Sequence, residues 1–413
     1  MVKYKNVQLI LKYIKSHWQN TIRYEPTDID TLLGLPYPYT VPCQTEATMQ
    51  NNFYWDTYFT NAGLVRQGFE ELAKNNVDNL IYLVEKYGYV PNGNRTYFLN
   101  RSQPPYLSLM VREVFEKFRD VDWLKSAYIT LKKEYEFWLN HRMTPIGLNR
   151  HFHHATDGEL IEFWDDVKGR LIFKPTNRKA ILNISSQYLA EGETGWDFTP
   201  RFETHCADFV PVDLNSLLYM NEMNAAHFCE ILENNEQEIW LQRAAERKTL
   251  LNKYCWNSEK GLYYDYDFIH EQQSKIASLA TFLPLWANMT SKEQVKLVVN
   301  NLSRFEFDYG VSVCENSNQE IVYQWDYPNG WPPLFHITIA GLKNTGFMDE
   351  AKRIAEKYLT VVVKNFIESG ELWEKYNVVD GSIRVKNEYE MPAMMGWTAG
   401  VFVYCAEFLE SMD

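Results

Sequence analysis

QWDYPNGWPP, residues 324–333, sets Trp325, Asp326 and Trp331 among three prolines and an Asn329-Gly330 pair. A core segment would space its apolar residues with a helical or strand period, whereas these rings stand among turn-formers. The decapeptide therefore reads as a shaped loop. Flat rings beside carboxylates and amides suit a pyranose, whose C–H faces stack on aromatics and whose hydroxyls need hydrogen bonds. A loop wedged between helices is the plainer reading, and the rest of the chain decides between them.

Working outward, helical periods dominate. Residues near 4–18, 53–67, 69–87, 104–117, 121–141, 213–232, 236–254, 271–286, 291–303, 331–345, 347–367 and 392–411 carry apolar residues at spacings of three and four. Strand-like runs such as "GLYYDYDF" are short and sit between helices. No low-complexity linker divides the chain and no 34-residue repeat suggests an open solenoid. The expectation is one all-α domain over 1–413, a toroid of six helical hairpins with long loops at one end. Segments 32–52, 142–212, 304–330 and 368–391 exceed ordinary helix connections, and loops of that length are commonly functional.

The bulk numbers fit. Of the 413 residues 46% are hydrophobic and 15% aromatic, with 13 Trp, 27 Tyr and 23 Phe, enough to line a cavity as well as fill a core. A net charge of −13 disfavours nucleic acid and anionic membranes, both of which call for Lys and Arg. Six cysteines without a Cys-x-x-Cys pair indicate neither a zinc knuckle nor a redox dithiol, and are expected free and buried. The opening "MVKYKNVQLILKYIKSHW" reads as an amphipathic helix without the h-region of a signal peptide, and no run of 18 apolar residues occurs. A cytoplasmic protein, monomeric or weakly self-associating and without a metal, is expected.

Four clusters carry polar chemistry. "FYWDTYF" at 53–59 offers Trp55 and Asp56, the latter either a sugar-hydroxyl acceptor or a helix-start carboxylate. "PNGNRTYFLNRSQPP" at 91–105 supplies Asn92, Arg95, Arg101 and Gln103. "GETGWDFTPRF" at 192–202 and "GELWEKYN" at 370–377 each present a carboxylate directly after a tryptophan, Asp197 after Trp196 and Glu374 after Trp373. Apolar, aromatic surroundings raise a carboxyl's pKa, as a general acid near neutrality requires.

These residues carry a resemblance. The decapeptide is similar to the trehalase signature Gln-Trp-Asp-x-Pro-x-Gly-Trp-x-Pro, and "PNGNRTYFLNRSQPP" resembles the matching stretch of that family. "YWDTYF", "GWDFTPRF", "PVDLNSLLY", "EKYN" and "GWTAGV" resemble further blocks in the same order, from about residue 40 to the end. The resemblance implies an (α/α)6 barrel and a cofactor-independent inverting α-glucosidase acting on a disaccharide-sized substrate. It makes Asp197 the general acid and Glu374 the general base. Asn92, Arg101 and Glu388 match substrate contacts, and Trp55, Asp56, Gln103 and Trp325 complete the glucose subsite; Trp196, Gln324 and Trp331 are expected to bind substrate beside them. Inversion independently needs one protonated and one ionised carboxyl about 6.5–9.5 Å apart.

The sequence departs from the pattern twice. "CQTEATMQNN" places Thr48 and Gln50 where the family carries arginines, and "HFHHATDGELIEFWDDVKGRLIF" replaces its Pro-Arg-Pro-Glu-Ser-Tyr stretch. Lost hydrogen-bonding groups change discrimination by orders of magnitude, so acid and base are compatible with an altered leaving group. His151, His153 and His154 in the second segment read as a solvated loop, ahead of substrate contacts or metal ligands. The leading expectation is hydrolysis of an α-glucoside, α,α-trehalose first, against another small α-glucoside. A phosphorylase needs no base where Glu374 stands, and a non-catalytic sugar binder has no use for both carboxylates.

Overall fold

YWDTYFTNAGL, residues 54–64, mixes rings, hydroxyls and an aspartate without a polar stripe, and all eleven residues are buried. A helix buried all round has neighbours on every side. The computed structural model describes residues 4–44, 49–171, 173–317, 323–385, 391–393 and 395–412. Among them are helices α1 (Tyr4–His17), α2 (Tyr54–Leu64), α3 (Glu70–Tyr87), α4 (Leu107–Phe118), α5 (Val121–Arg142), α6 (Asp157–Val167) and α7 (Arg178–Gly192). The second half holds α8 (Val212–Ile231), α9 (Gln237–Tyr254), α10 (Leu283–Trp286), α11 (Lys292–Asn300), α12 (Pro332–Asn344), α13 (Met348–Ser369) and α14 (Gly396–Glu410). The strands among the described residues are two residues long, in sheets of two or three, and the all-α toroid is what the chain forms.

Six helices make the inner ring. α2 packs on α4, α4 on α8, α8 on α10, α10 on α12, α12 on α14, and α14 returns to α2. The closure is tight because Gly400 of α14 crosses α2 backbone to backbone: a Cβ there would lie 1.9 Å from the Phe59 carbonyl oxygen. Outer helices bury one stripe only, as α3 does with Leu72, Ala73, Asn76, Val77, Leu80, Leu83 and Val84. Aromatic rings plug the ring's middle. Tyr58 stacks on Tyr106 at 4.7 Å and His336 on Tyr404 at 4.2 Å. Burial lowers the His336 pKa to about 3, so the imidazole is neutral there. All six cysteines are free and buried.

Two expectations are corrected. The period over 271–286 yields only α10, preceded by a 3-10 turn at Leu279–Phe282, because Gln272–Gln273 instead pairs antiparallel with Tyr266–Asp267. Segment 142–212 is not one long loop. It contains α6 and α7, packed on each other, and α6 starts at a capping box in which Thr156 accepts from the Glu159 amide and Glu159 from that of Thr156.

Candidate active site

The four polar clusters meet through backbone ties. Phe53 bridges Gly93, and the Tyr54 amide donates to the Asn92 carbonyl at 3.2 Å, which brings the start of α2 against the 91–105 loop. Asn92 Nδ2 then donates to the Gly192 carbonyl at 3.2 Å, and the Trp55 amide to Gln103 Oε1 at 3.1 Å. The Trp325 amide donates to the Phe198 carbonyl and Gln324 Nε2 to that of Asp197, at 3.1 and 2.8 Å. Asn329–Gly330 pairs antiparallel with Tyr376–Asn377, setting the decapeptide beside Glu374. Trp397 of α14 closes the circuit, donating to the Glu374 carbonyl at 3.2 Å.

These ties enclose a cavity of about 740 Å3. Trp55, Asp56, Asn92, Arg101, Gln103, Asp197, Trp325, Trp331 and Glu374 all line it. Trp325 and Trp331 stack with centroids 3.8 Å apart and planes within 7°, and Trp55 leans on Trp325 at 5.7 Å. Trp196 and Gln324 stand behind this wall and not on it. Trp196 is buried between Trp325, 5.8 Å away, and the Arg201 guanidinium, 4.0 Å from its ring. Gln324 is spent on the Asp197 carbonyl, and its own carbonyl receives Trp331 Nε1. Glu388 and Thr48 lie outside the described residues.

Charge is distributed unevenly. Glu374 is 1% exposed and accepts from Lys375 Nζ at 2.6 Å, while Lys375 lies 4.5 Å over the Trp331 ring. Asp197 is 39% exposed and meets Arg170, whose Nη2 reaches its Oδ2 at 3.3 Å and its carbonyl at 3.0 Å. Between them Asp56 is pushed up to about 8 by burial, with the charges of Glu374 and Asp197 adding to the effect. The three carboxyls thus share one electrostatic environment. Arg101 is lowered to about 10 by burial against the pull of Asp197 and Glu193, and its buried Nε has no hydrogen-bond partner among the described residues.

Two buried ion networks hold the loops that carry these groups. Arg201 donates to both oxygens of Asp213 and both of Asp265 at 2.8–3.0 Å, fixing the 196–202 loop on α8. Glu193 takes Arg142 at 2.7 Å, the Ser102 amide at 2.9 Å and the Phe152 amide at 3.0 Å. Burial pushes Glu193 up, but Arg142 and His151 outweigh it and hold the carboxyl well below its usual range. His151 is therefore buried, 3.3 Å from Glu193, and His153 is buried against Ser186 at 2.8 Å. The solvated-loop expectation fails for both, since Glu193 collects this segment into the interior; His154 is exposed. Among the described residues no group of three His, Cys, Asp or Glu could hold a metal ion.

The family model for trehalase matches residues 1–412. The chain belongs to the trehalase family. It is, with that family, a glycoside hydrolase. Its fold is similar to that of neutral trehalase Nth1 from Saccharomyces cerevisiae, 27% identical, covering 97% of this chain and 80% of that one with a TM-score of 0.78. A mannosylglycerate hydrolase of Thermus thermophilus, solved with glucose, shares the fold at 15% identity and a TM-score of 0.66, over 96% of this chain and 99% of that one. No helix among the described residues is long and apolar enough to cross a membrane.

This trehalase-family member fills its two departures differently. Gln50 accepts from Arg23 Nε at 2.9 Å and Nη2 at 2.6 Å and donates to the Cys43 carbonyl, while its neighbour Met49 lines the cavity. The segment in place of the Arg-Glu stretch is α6, which brings Glu159, Glu162, Phe163, Asp166 and Val167 to the cavity, with Arg170 just beyond. Sequence reading missed this wall. The Thr156-x-x-Glu159 capping box and the apolar spacing of Leu160, Phe163 and Val167 were the signals available.

Proposed function

We propose that the chain hydrolyses an α-glucosidic bond with inversion, with Asp197 as general acid, Glu374 as general base and α,α-trehalose as the first substrate to test. What carries this reading is that Asp197 and Glu374, from two separate loops, line one cavity and both act on Asp56. Asp197 gives its proton to the glycosidic oxygen as the C1–O bond breaks. Glu374 takes a proton from water as that water attacks C1 on the opposite face. The stacked Trp325–Trp331 pair backs the glucose ring, and Trp55, Asp56, Asn92, Arg101, Gln103 and, from the family pattern, Glu388 hold its hydroxyls. Trp196 and Gln324 contribute by bracing Trp325 and the Asp197 backbone.

The likeness to a yeast protein whose name is neutral trehalase supports trehalose. Another small α-glucoside is the second reading, favoured by α6 and Gln50 standing where the family carries substrate-binding arginines and a glutamate. The test is glucose release from trehalose, kojibiose, sucrose, glucosylglycerol and glucosylglycerate. Turnover of at least one is expected, and hydrolysis of none contradicts the reading, as does activity that appears only with added phosphate.

A further inference from the structure

A general acid touches the oxygen that departs, so the leaving group lies on the side of Asp197. That side is built by α6. Val167 of α6 packs with Phe198, the residue after Asp197, and with Tyr188 and Tyr323, while Phe163 lies against the same cluster. Arg170, just past the end of α6, holds Asp197 directly and sits 4.6 Å over the Phe198 ring. Asp197 is also far more exposed than Glu374, 39% against 1%, which sets the open mouth on the α6 side and the closed end at Glu374.

The face that α6 turns to the cavity is acidic. Glu159, Glu162 and Asp166 follow one another at helical spacing and all three line it. Glu159 is kept below its usual range by the Thr156 amide and hydroxyl. Glu162 and Asp166 have no ion-pair partner among the described residues, and the nearby Lys168 is taken by Asp165 at 2.7 Å. Of the cations on or beside the cavity, Arg170 is engaged by Asp197 and Lys375 by Glu374. Arg101 also lines the cavity: it donates from Nη1 to Asn100 Oδ1 at 2.9 Å, its buried Nε has no partner among the described residues, and its guanidinium lies 5.9 Å from the Phe163 ring.

Resting on the hydrolase reading above, we propose that α6 is the wall of the leaving-group subsite, and that Glu159, Glu162 and Asp166 restrict it to neutral polyols and sugars, excluding leaving groups that carry a carboxylate or phosphate. Like charges placed across a water-filled mouth repel, and several acting together discriminate by repulsion more than by attraction to the favoured ligand. The hydroxyls of a neutral polyol find acceptors on all three side chains.

The experiment is kcat/KM on two matched pairs, glucosylglycerol against glucosylglycerate and trehalose against trehalose 6-phosphate. It compares the unaltered protein with the variants Glu162→Gln/Asp166→Asn and Glu162→Lys/Asp166→Lys. The neutral-to-anionic ratio is expected to be at least tenfold in the unaltered protein, to shrink in the amide variant and to fall at least tenfold further in the lysine variant. In the unaltered protein it also declines between about 20 mM and 1 M salt, where the screening length drops to about 3 Å. A purely structural role for α6 would lower both members of each pair and leave the ratio and its salt dependence in place. Equal turnover of neutral and anionic members by the unaltered protein, or a ratio identical in all three proteins, overturns the proposal. Glucose release from none of the four substrates is a different failure, which removes the hydrolase reading itself and this inference with it.

Discussion

Asp56, Asp197 and Glu374 are set apart from the acidic face of α6 on the same cavity, and their surroundings divide the work. Glu374 is enclosed beside Lys375, and Asp197 stands at the mouth beside Arg170. On the proposed roles, Asp197→Asn and Glu374→Gln each lower kcat at least about a hundredfold, the scale of lost general acid or base catalysis. Unchanged circular dichroism would show that the fold is kept, and a loss of less than tenfold in either variant contradicts that residue's role. Burial raises Asp56 to about 8. A carboxyl whose folded pKa exceeds its unfolded value of about 4 binds more protons folded than unfolded between the two. Stability therefore declines as pH rises through that window, and is greatest below it. Asp56→Asn removes this dependence, so the melting temperature of the variant relative to the unaltered protein should rise steadily from pH 4 to pH 8. A constant difference across that range contradicts the assignment. At this scale the sequence was most legible where a residue's chemistry is local. Asp197, Glu374, Trp325 and Trp331 follow from rings and carboxylates in Gly- and Pro-punctuated loops. Which way Trp196 and Gln324 face was not legible, because it is settled by Arg201 and by the Asp197 carbonyl, contacts made across the fold.

At the scale of elements, the helix period located nearly all of the ring, since each inner or outer helix carries its own apolar spacing. It misled over 271–278, where the strand pairing of Gln272–Gln273 overrides a helical pattern. Over 157–167 the signal is short, a Thr156-x-x-Glu159 capping box and the spacing of Leu160, Phe163 and Val167 in a segment that departs from the family pattern. The buried Arg201 and Glu193 networks were invisible for a different reason, since partners such as Asp213, Asp265 and Arg142 are brought together only by folding. The α14–α2 crossing gives the sharpest element-level test. Gly400→Ala puts a methyl group 1.9 Å from the Phe59 carbonyl oxygen, a contact that backbone movement alone relieves. Destabilisation of about 2–3 kcal/mol or more is expected from denaturant unfolding, the upper range of overpacking. A variant as stable as the parent would mean that α14 does not close against α2 as described.

For the whole molecule, the ring joins α2, near the start of the chain, to α14 at its end. Closure of that kind couples every inner helix to its two neighbours, so the chain is expected to unfold as one domain. Calorimetry, near-ultraviolet dichroism and tryptophan fluorescence should report a single coincident thermal transition. Two separated transitions would contradict one-domain folding. The same closure explains how one cavity gathers residues from positions as distant as 56, 197 and 374: inner helices arranged in a ring bring their ends and connections to a common mouth. The account comes down to a proton and a water molecule arriving at one anomeric carbon from opposite faces. Proton NMR of the first turnovers on trehalose, recorded before mutarotation, tests that most directly. Inversion predicts β-glucose from the attacked half and α-glucose from the leaving half in equal amounts, and α-glucose alone at the outset would contradict it.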